Sequence, residues 1–452
     1  MRVVVVGGGV SGLAAALEVR ALRPDAEVVV LEASARLGGK VAVSEVGGVA
    51  VDEGADSMLT RVPDGLALAR AAGLEGELVA PASGQASVWS RGRLRDLPTG
   101  TLLGLPTDLA ALTRSGLLST PGLYRVLADL VAPGGPVEQD VSVGGLVRRR
   151  LGAEVVDRLV DPLLGGVYAG RADLLSLHAT LPQLVGPAAR HRSLLLAARE
   201  ARSATPPTDG PLFASLPGGL GRLPEQLARV ARADVRLRTT VRALDRTPTG
   251  WRLTLGSSAD PQQLTADAVV VAVPAAPANR LLDGLAPALE VDYASVALIT
   301  LVLDGPTPGR GSGYLVPAVE GRTTKAVTFS SRKWRHLAGE RSVVRASVGR
   351  YGETHDLQRD DAELVAAVAG ELAQAVGPLP RVLASRVTRW GGSLPQYAVG
   401  HLDRVRRTRD GVARHPGLAV AGAAYDGVGV PACARSGRGA ARRALGHDGG
   451  HD

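Results

Sequence analysis

RVVVVGGGVSGLAAALEVRALRPDAEVVVLEASARLGGK, residues 2–40, decides the architecture. Arg2–Val6 is a near-continuous valine run, the pattern of a parallel strand buried on both faces. Gly7-Gly8-Gly9-Val10-Ser11-Gly12 interrupts it, and apolar residues then recur at helical spacing from Leu13 to Leu22. A second strand, Glu27–Leu31, ends at Glu32. Strand, glycine turn, helix and strand in ~30 residues make a βαβ unit.

Each part of that unit has a task. Gly7 permits a tight turn, Gly9 lets backbone approach a pyrophosphate, and Gly12 allows close helix–strand packing. The helix start offers free N–H groups and a positive dipole end to phosphates. Glu32 is placed to accept hydrogen bonds from ribose hydroxyls. This is a dinucleotide site built around Gly7, Gly8, Gly9, Val10, Ser11, Gly12 and Glu32. The continuation separates FAD from NAD: Glu32-x5-Gly38-Gly39-Lys40 brings a second glycine turn and the charges of Arg36 and Lys40 over the pyrophosphate. Late in the chain, Gly422 to Pro431 runs through Tyr425-Asp426-Gly427-Val428-Gly429-Val430 into a final helix. That segment has the form of a lid over an isoalloxazine, its helix N–H groups facing negative charge on the reduced ring.

Composition bounds the rest. At 452 residues, 45% hydrophobic and 21% charged, the chain is globular and not disordered. Cys433 is the single cysteine, which rules out intrachain disulfides and cysteine clusters. No apolar run reaches the ~20 residues of a membrane span, and the cytoplasm is the default location. The net charge of +8 comes from arginine, since lysine stands only at 40, 325 and 333. Such a balance attracts anions. With aromatics at 3%, stacking platforms for nucleic acid are scarce, and a small acidic ligand fits better. Apart from His447 and His451 in the expected tail, the eight histidines have no metal-ligand spacing, so no metal site is expected.

The expected fold class is α/β (α+β overall). A Rossmann-like FAD-binding domain is gathered from 1–80, 212–275 and 386–446. A helical insert, facing substrate or membrane, is expected over 81–205, and a mixed-sheet substrate-binding domain over 276–385. Residues 203–211 read as a linker and 447–452 as a frayed tail.

Motifs outside the nucleotide signature carry a family resemblance. They are Asp140-Val-Ser-Val-Gly-Gly-Leu-Val-Arg-Arg-Arg-Leu-Gly152, Asp161-Pro-Leu-Leu-Gly-Gly-Val-Tyr-Ala-Gly170, Trp390 with Leu394-Pro395-Gln396-Tyr397, and Pro431-Ala-Cys433. From Met1 to about Leu445 the chain resembles the oxygen-dependent protoporphyrinogen/coproporphyrinogen III oxidases of Gram-positive bacteria. The resemblance places Ala33, Gly39, Lys40, Gly54, Ala55, Asp56 and Ser57 around FAD, with Val241 near adenine and Trp390, Val428, Gly429 and Val430 near the flavin. It puts Arg61 on a substrate propionate.

The resemblance further implies oxidation of coproporphyrinogen III to coproporphyrin III in haem synthesis. Three two-electron rounds pass through FAD to molecular oxygen, giving hydrogen peroxide. The cofactor carries that chemistry, so no catalytic side chain is expected. Protoporphyrinogen IX remains an alternative substrate. Another flavin amine oxidase or desaturase, and a non-catalytic relative of the fold, remain alternative identities. A ferrochelatase-type enzyme is an expected neighbour, with at most peripheral membrane contact and no nucleic acid.

Overall fold

The computed structural model describes residues 1–131, 134–204 and 210–447. The expected linker falls partly, and the expected tail almost wholly, outside these residues.

Valine-rich segments form a five-stranded, wholly parallel sheet in the order Asp234–Arg236, Glu27–Leu31, Arg2–Val6, Ala268–Val271, Leu418–Val420. Val3, Val4 and Val5 are fully buried, because the first and last helices cover one face of the sheet and the antiparallel strands Val241–Thr247, Gly250–Gly256 and Pro261–Ala266 pack on the other. The chain order along the sheet reverses at Arg2–Val6, and crevices for ligands open at the carboxyl ends of strands at such points. The first helix, Val10–Leu22, starts there. The last helix, Val430–Ala444, carries Pro431 in its first turn and packs on the first through small residues. A methyl group at Gly437 would stand 2.0 Å from the Ser11 carbonyl oxygen, so only glycine permits this spacing.

A seven-stranded sheet lies beside this unit. Its order is Val382–Pro395, Tyr293–Leu303, Ser342–Val348, Thr324–Phe329, Gly313–Leu315, Ala86–Ser90, Arg93–Asp96. The helix Asp361–Val376 covers one face, burying Leu364, Val368 and Leu372 against Ile299, Leu301, Val344 and Ala346. The Asp360 carboxylate caps that helix by accepting the Glu363 N–H at 2.8 Å.

Two stretches differ from the expected domain boundaries. Ala86–Ser90 and Arg93–Asp96, expected in the helical insert, form a hairpin that joins the larger sheet through Gly313–Leu315. Val88 and Trp89 are buried there, which fixes the hairpin by packing rather than by local pattern. Residues 386–395, expected in the FAD-binding domain, belong to the 14-residue strand Val382–Pro395 paired with Tyr293–Leu303. Between residues 109 and 204 the described chain is mainly helical, around a core that includes Leu112, Leu146, Leu159 and Leu184.

Candidate functional site

The crevice begins at the first strand's end. Gly7 has φ of 109°, and a methyl group there would meet the Ala272 oxygen at 2.5 Å, so the turn requires glycine. At Gly12 a methyl would lie 1.9 Å from the Gly7 oxygen. Gly9 differs: its Cβ position has nothing within 4 Å. The Glu32 carboxylate accepts the Gly8 N–H at 2.7 Å on one oxygen and the Ser34 N–H at 2.8 Å on the other. That fixes the acid at the strand end while leaving lone pairs for a sugar. The Gly38 N–H donates to the Gly8 oxygen at 2.8 Å, so the second glycine turn lies against the first. Ala33 and Gly39 are exposed beside this turn, and Arg36 braces it by donating to the Gly39 oxygen at 2.8 Å. Val10 and Ser11 are buried in the helix that follows.

Lys40 keeps accessible surface yet is ringed by protein. Burial lowers its pKa, and the neighbouring Cys433 thiol opposes that shift. Such a combination marks a side chain on a concave wall. Burial likewise raises the Cys433 thiol, against a hydrogen bond with Ser11 and the charge of Lys40. The Lys40 side chain therefore lies near Cys433 in the first turn of the last helix. The Lys40 carbonyl accepts the Ala55 N–H at 3.1 Å and would lie 1.9 Å from a methyl at Gly54. Burial would raise the Asp56 carboxyl, but Lys333 at 3.0 Å and Arg345 at 3.7 Å outweigh it and hold it well below the usual range. Ser57 donates to the same carboxylate at 2.9 Å. The Asp56 side chain is thus an anchor onto the larger sheet, and the turn offers a cofactor its backbone.

Gly429 is the N-cap of the last helix, with no side chain satisfying the first N–H groups. Val428 is half-buried and Val430 buried. The Trp390 indole donates to the Glu53 oxygen at 2.6 Å and lies under the Arg36 guanidinium at 5.7 Å. Trp390 also packs into a small apolar cluster with Ala169, Ala294, Val296 and Tyr351. Val241 opens the strand Val241–Thr247, just after Thr239 donates to the Glu32 carbonyl at 2.9 Å. Arg61 is exposed ahead of the helix Pro63–Ala71, with no ion pair among the described residues. His401 is 2% exposed and stacked on Tyr397 at 4.5 Å. Burial and Arg404 push its pKa down to about 4.

Sequence reasoning missed Lys333, on the short helix Ser330–Lys333, and Arg345, on the strand Ser342–Val348, which hold Asp56. The rarity of lysine was the one signal pointing to the first of them. Beside the end of the short helix Ala423–Asp426 lies a cavity of about 470 Å³, lined by Tyr425, Asp426, Gly427, His178, Tyr397 and Arg409. It adjoins the final motif and is separate from the glycine turns.

The residues fit a bound FAD on three structural observations. The Cβ positions of Gly9 and Gly422 meet nothing within 4 Å, so a cradle stands beside each. Two helix N-termini, at Gly9 and Gly429, lack side-chain caps. Lys40 supplies positive charge between them.

Comparison with known proteins agrees. The family of flavin containing amine oxidoreductases matches residues 10–445. A coproporphyrinogen III oxidase of Mycobacterium tuberculosis is 38% identical over 450 residues, covering 98% of this chain and 96% of the relative. One of Bacillus subtilis is 33% identical over 463 residues, covering 98% and 97%. A solved structure from Exiguobacterium sp. 255-15, named for protoporphyrinogen oxidase, superposes with a TM-score of 0.86 at 35% identity over 98% of both chains. The chain belongs to the flavin containing amine oxidoreductase family, and its cofactor is FAD.

Proposed function

We propose that the protein oxidises coproporphyrinogen III to coproporphyrin III, with molecular oxygen as final acceptor and hydrogen peroxide as by-product. The observation that carries this reading is identity of 33–38% with coproporphyrinogen III oxidases across nearly the whole of both chains. A protoporphyrinogen oxidase of Macaca fascicularis also aligns, at 32%. The tetracarboxylate is favoured over the dicarboxylate by a chain of net charge +8.

Bound FAD supplies a hydride acceptor. The protein's own work is to hold and orient. Gly7–Gly12, Gly38–Lys40 and Glu32 would take its pyrophosphate and ribose, and the Gly54–Ser57 turn would close on them. Val428–Val430 would present helix N–H groups to the flavin edge, stabilising charge that arrives with the hydride. Val241 would border the adenine. Trp390 with Ala169, Val296 and Tyr351 would form an apolar wall that keeps water from the reacting carbon. Arg61 would meet a propionate at the mouth. The product would pass to a ferrochelatase-type enzyme in the cytoplasm.

The test is anaerobic mixing of the FAD-loaded protein with coproporphyrinogen III and, separately, protoporphyrinogen IX. Bleaching of the flavin is expected with both, faster with the first. A colourless protein that takes up no FAD, or a yellow one that neither substrate bleaches, overturns the reading.

A further inference from the structure

Lys325 is the extra residue of a β-bulge. In its strand, Thr324 pairs with Val348 and Ala326 with Ser347, so Lys325 has no partner in the ladder. Bulges re-aim side chains. This one is only 8% exposed, yet among the described residues it makes no side-chain hydrogen bond and no ion pair. The charge nearest to it in effect is another cation, Arg350, itself 9% exposed. Burial and that guanidinium together push the Lys325 ammonium down to about 7.

Arg350 is better served. It donates to the Val316 oxygen at 3.0 Å and pairs with Glu353 at 3.3 Å. Asp161, on the helix Asp161–Tyr168, also feels its charge and that of Arg171, while accepting the Ala172 N–H at 2.8 Å. The two cations are coupled through the backbone, because the Val316 N–H donates to the Lys325 oxygen at 2.8 Å. Among the described residues no carboxylate pairs the Lys325 side chain, and its nitrogen is not fully enclosed, so a ligand carboxylate could reach it.

The pair sits beside the candidate site. Tyr351, next to Arg350, donates its N–H to the Ala169 oxygen at 2.7 Å and packs with Trp390 and Val296. Leu315, which pairs with Ala326, lies 3.7 Å from the Cβ position of Gly166 on the facing helix.

We propose that Lys325, supported by Arg350, is the seat of a substrate carboxylate: an inner propionate of the tetrapyrrole, apart from the one Arg61 would meet at the surface. This rests on the proposed function and assigns the residue that reads the substrate's charge. A carboxylate arriving beside Lys325 favours its protonated form.

The test uses full-length, FAD-loaded wild type, Lys325→Met and Lys325→Arg. Each is titrated with coproporphyrin III and with its uncharged tetramethyl ester, and turnover of coproporphyrinogen III is measured. Lys325→Met should weaken coproporphyrin III about 30-fold or more. KM should rise in step while kcat stays within about 3-fold. The ester should bind wild type and Lys325→Met alike, and Lys325→Arg should recover most of the loss. Equal affinity of wild type and Lys325→Met for the acid overturns the proposal, as does equal weakening of acid and ester. A wild type that neither binds coproporphyrin III nor oxidises its precursor overturns the functional reading as well.

Discussion

The Trp390 indole N–H reaches the Glu53 main-chain oxygen at 2.6 Å, tying the long edge strand of the larger sheet to the turn that leads into Gly54–Ser57. One bond thus joins the larger sheet to the segment that carries that turn. Trp390→Phe keeps the ring and removes the donor. A net loss of about 1 kcal/mol corresponds to roughly 5-fold weaker FAD retention if the turn's position matters to the cofactor. Flavin fluorescence released on dilution measures it, and unchanged retention would confine the bond to a structural role.

Gly9 and Gly437 separate a cradle from a packing contact. At Gly9 a methyl group has open space, so Gly9→Ala should leave the melting temperature of the FAD-free protein unaltered while abolishing yellow colour. At Gly437 the same methyl meets the Ser11 oxygen at 2.0 Å, so Gly437→Ala should destabilise by about 1–3 kcal/mol whether or not FAD is present. Thermal melts with and without FAD distinguish them. A fully flavinylated Gly9→Ala protein would contradict the crevice assignment.

Asp52 gives stability a pH dependence. Burial, helped by Asp56, raises its pKa from 3.8 to about 7, against Arg345 and the N–H groups of Leu220 and Gly221. In that window the folded chain holds a proton that the unfolded chain has released. Its contribution is complete below about pH 4 and lost as pH rises through about 7. Asp52→Asn cannot titrate. Its melting temperature should exceed wild type's at pH 8 and lose that advantage near pH 4, and a constant offset would refute the assignment.

Arg61 is exposed, so its pairing with a propionate is worth little: about 0.2–1 kcal/mol. Arg61→Ala should raise KM for coproporphyrinogen III by at most about 5-fold, leave kcat intact, and lose its effect at high salt. An unchanged KM at low ionic strength removes Arg61 from the substrate site.

The central sheet was legible because its inner strands Arg2–Val6, Glu27–Leu31 and Ala268–Val271 are short valine runs buried on both sides, and because Gly7–Gly12 and Glu32 act within one local unit. The strand Val382–Pro395 was not. It is an edge strand with Ser385, Arg386 and Arg389 exposed, so its apolar alternation is blunted and Trp390 drew attention only as a family marker. The Asp56–Lys333 pair was equally hidden, since 277 residues separate its members and only the packing of two sheets brings them together. Lys325 was visible as one of three lysines, but nothing local announces a bulge.

The first and last helices lie side by side, Gly437 against Ser11, and Lys40 lies near Cys433 in the first turn of the last. A chain lacking residues 430–444 loses the uncapped helix start proposed to face the flavin. Trimming that segment should therefore yield a protein that assembles its β-structure yet stays pale.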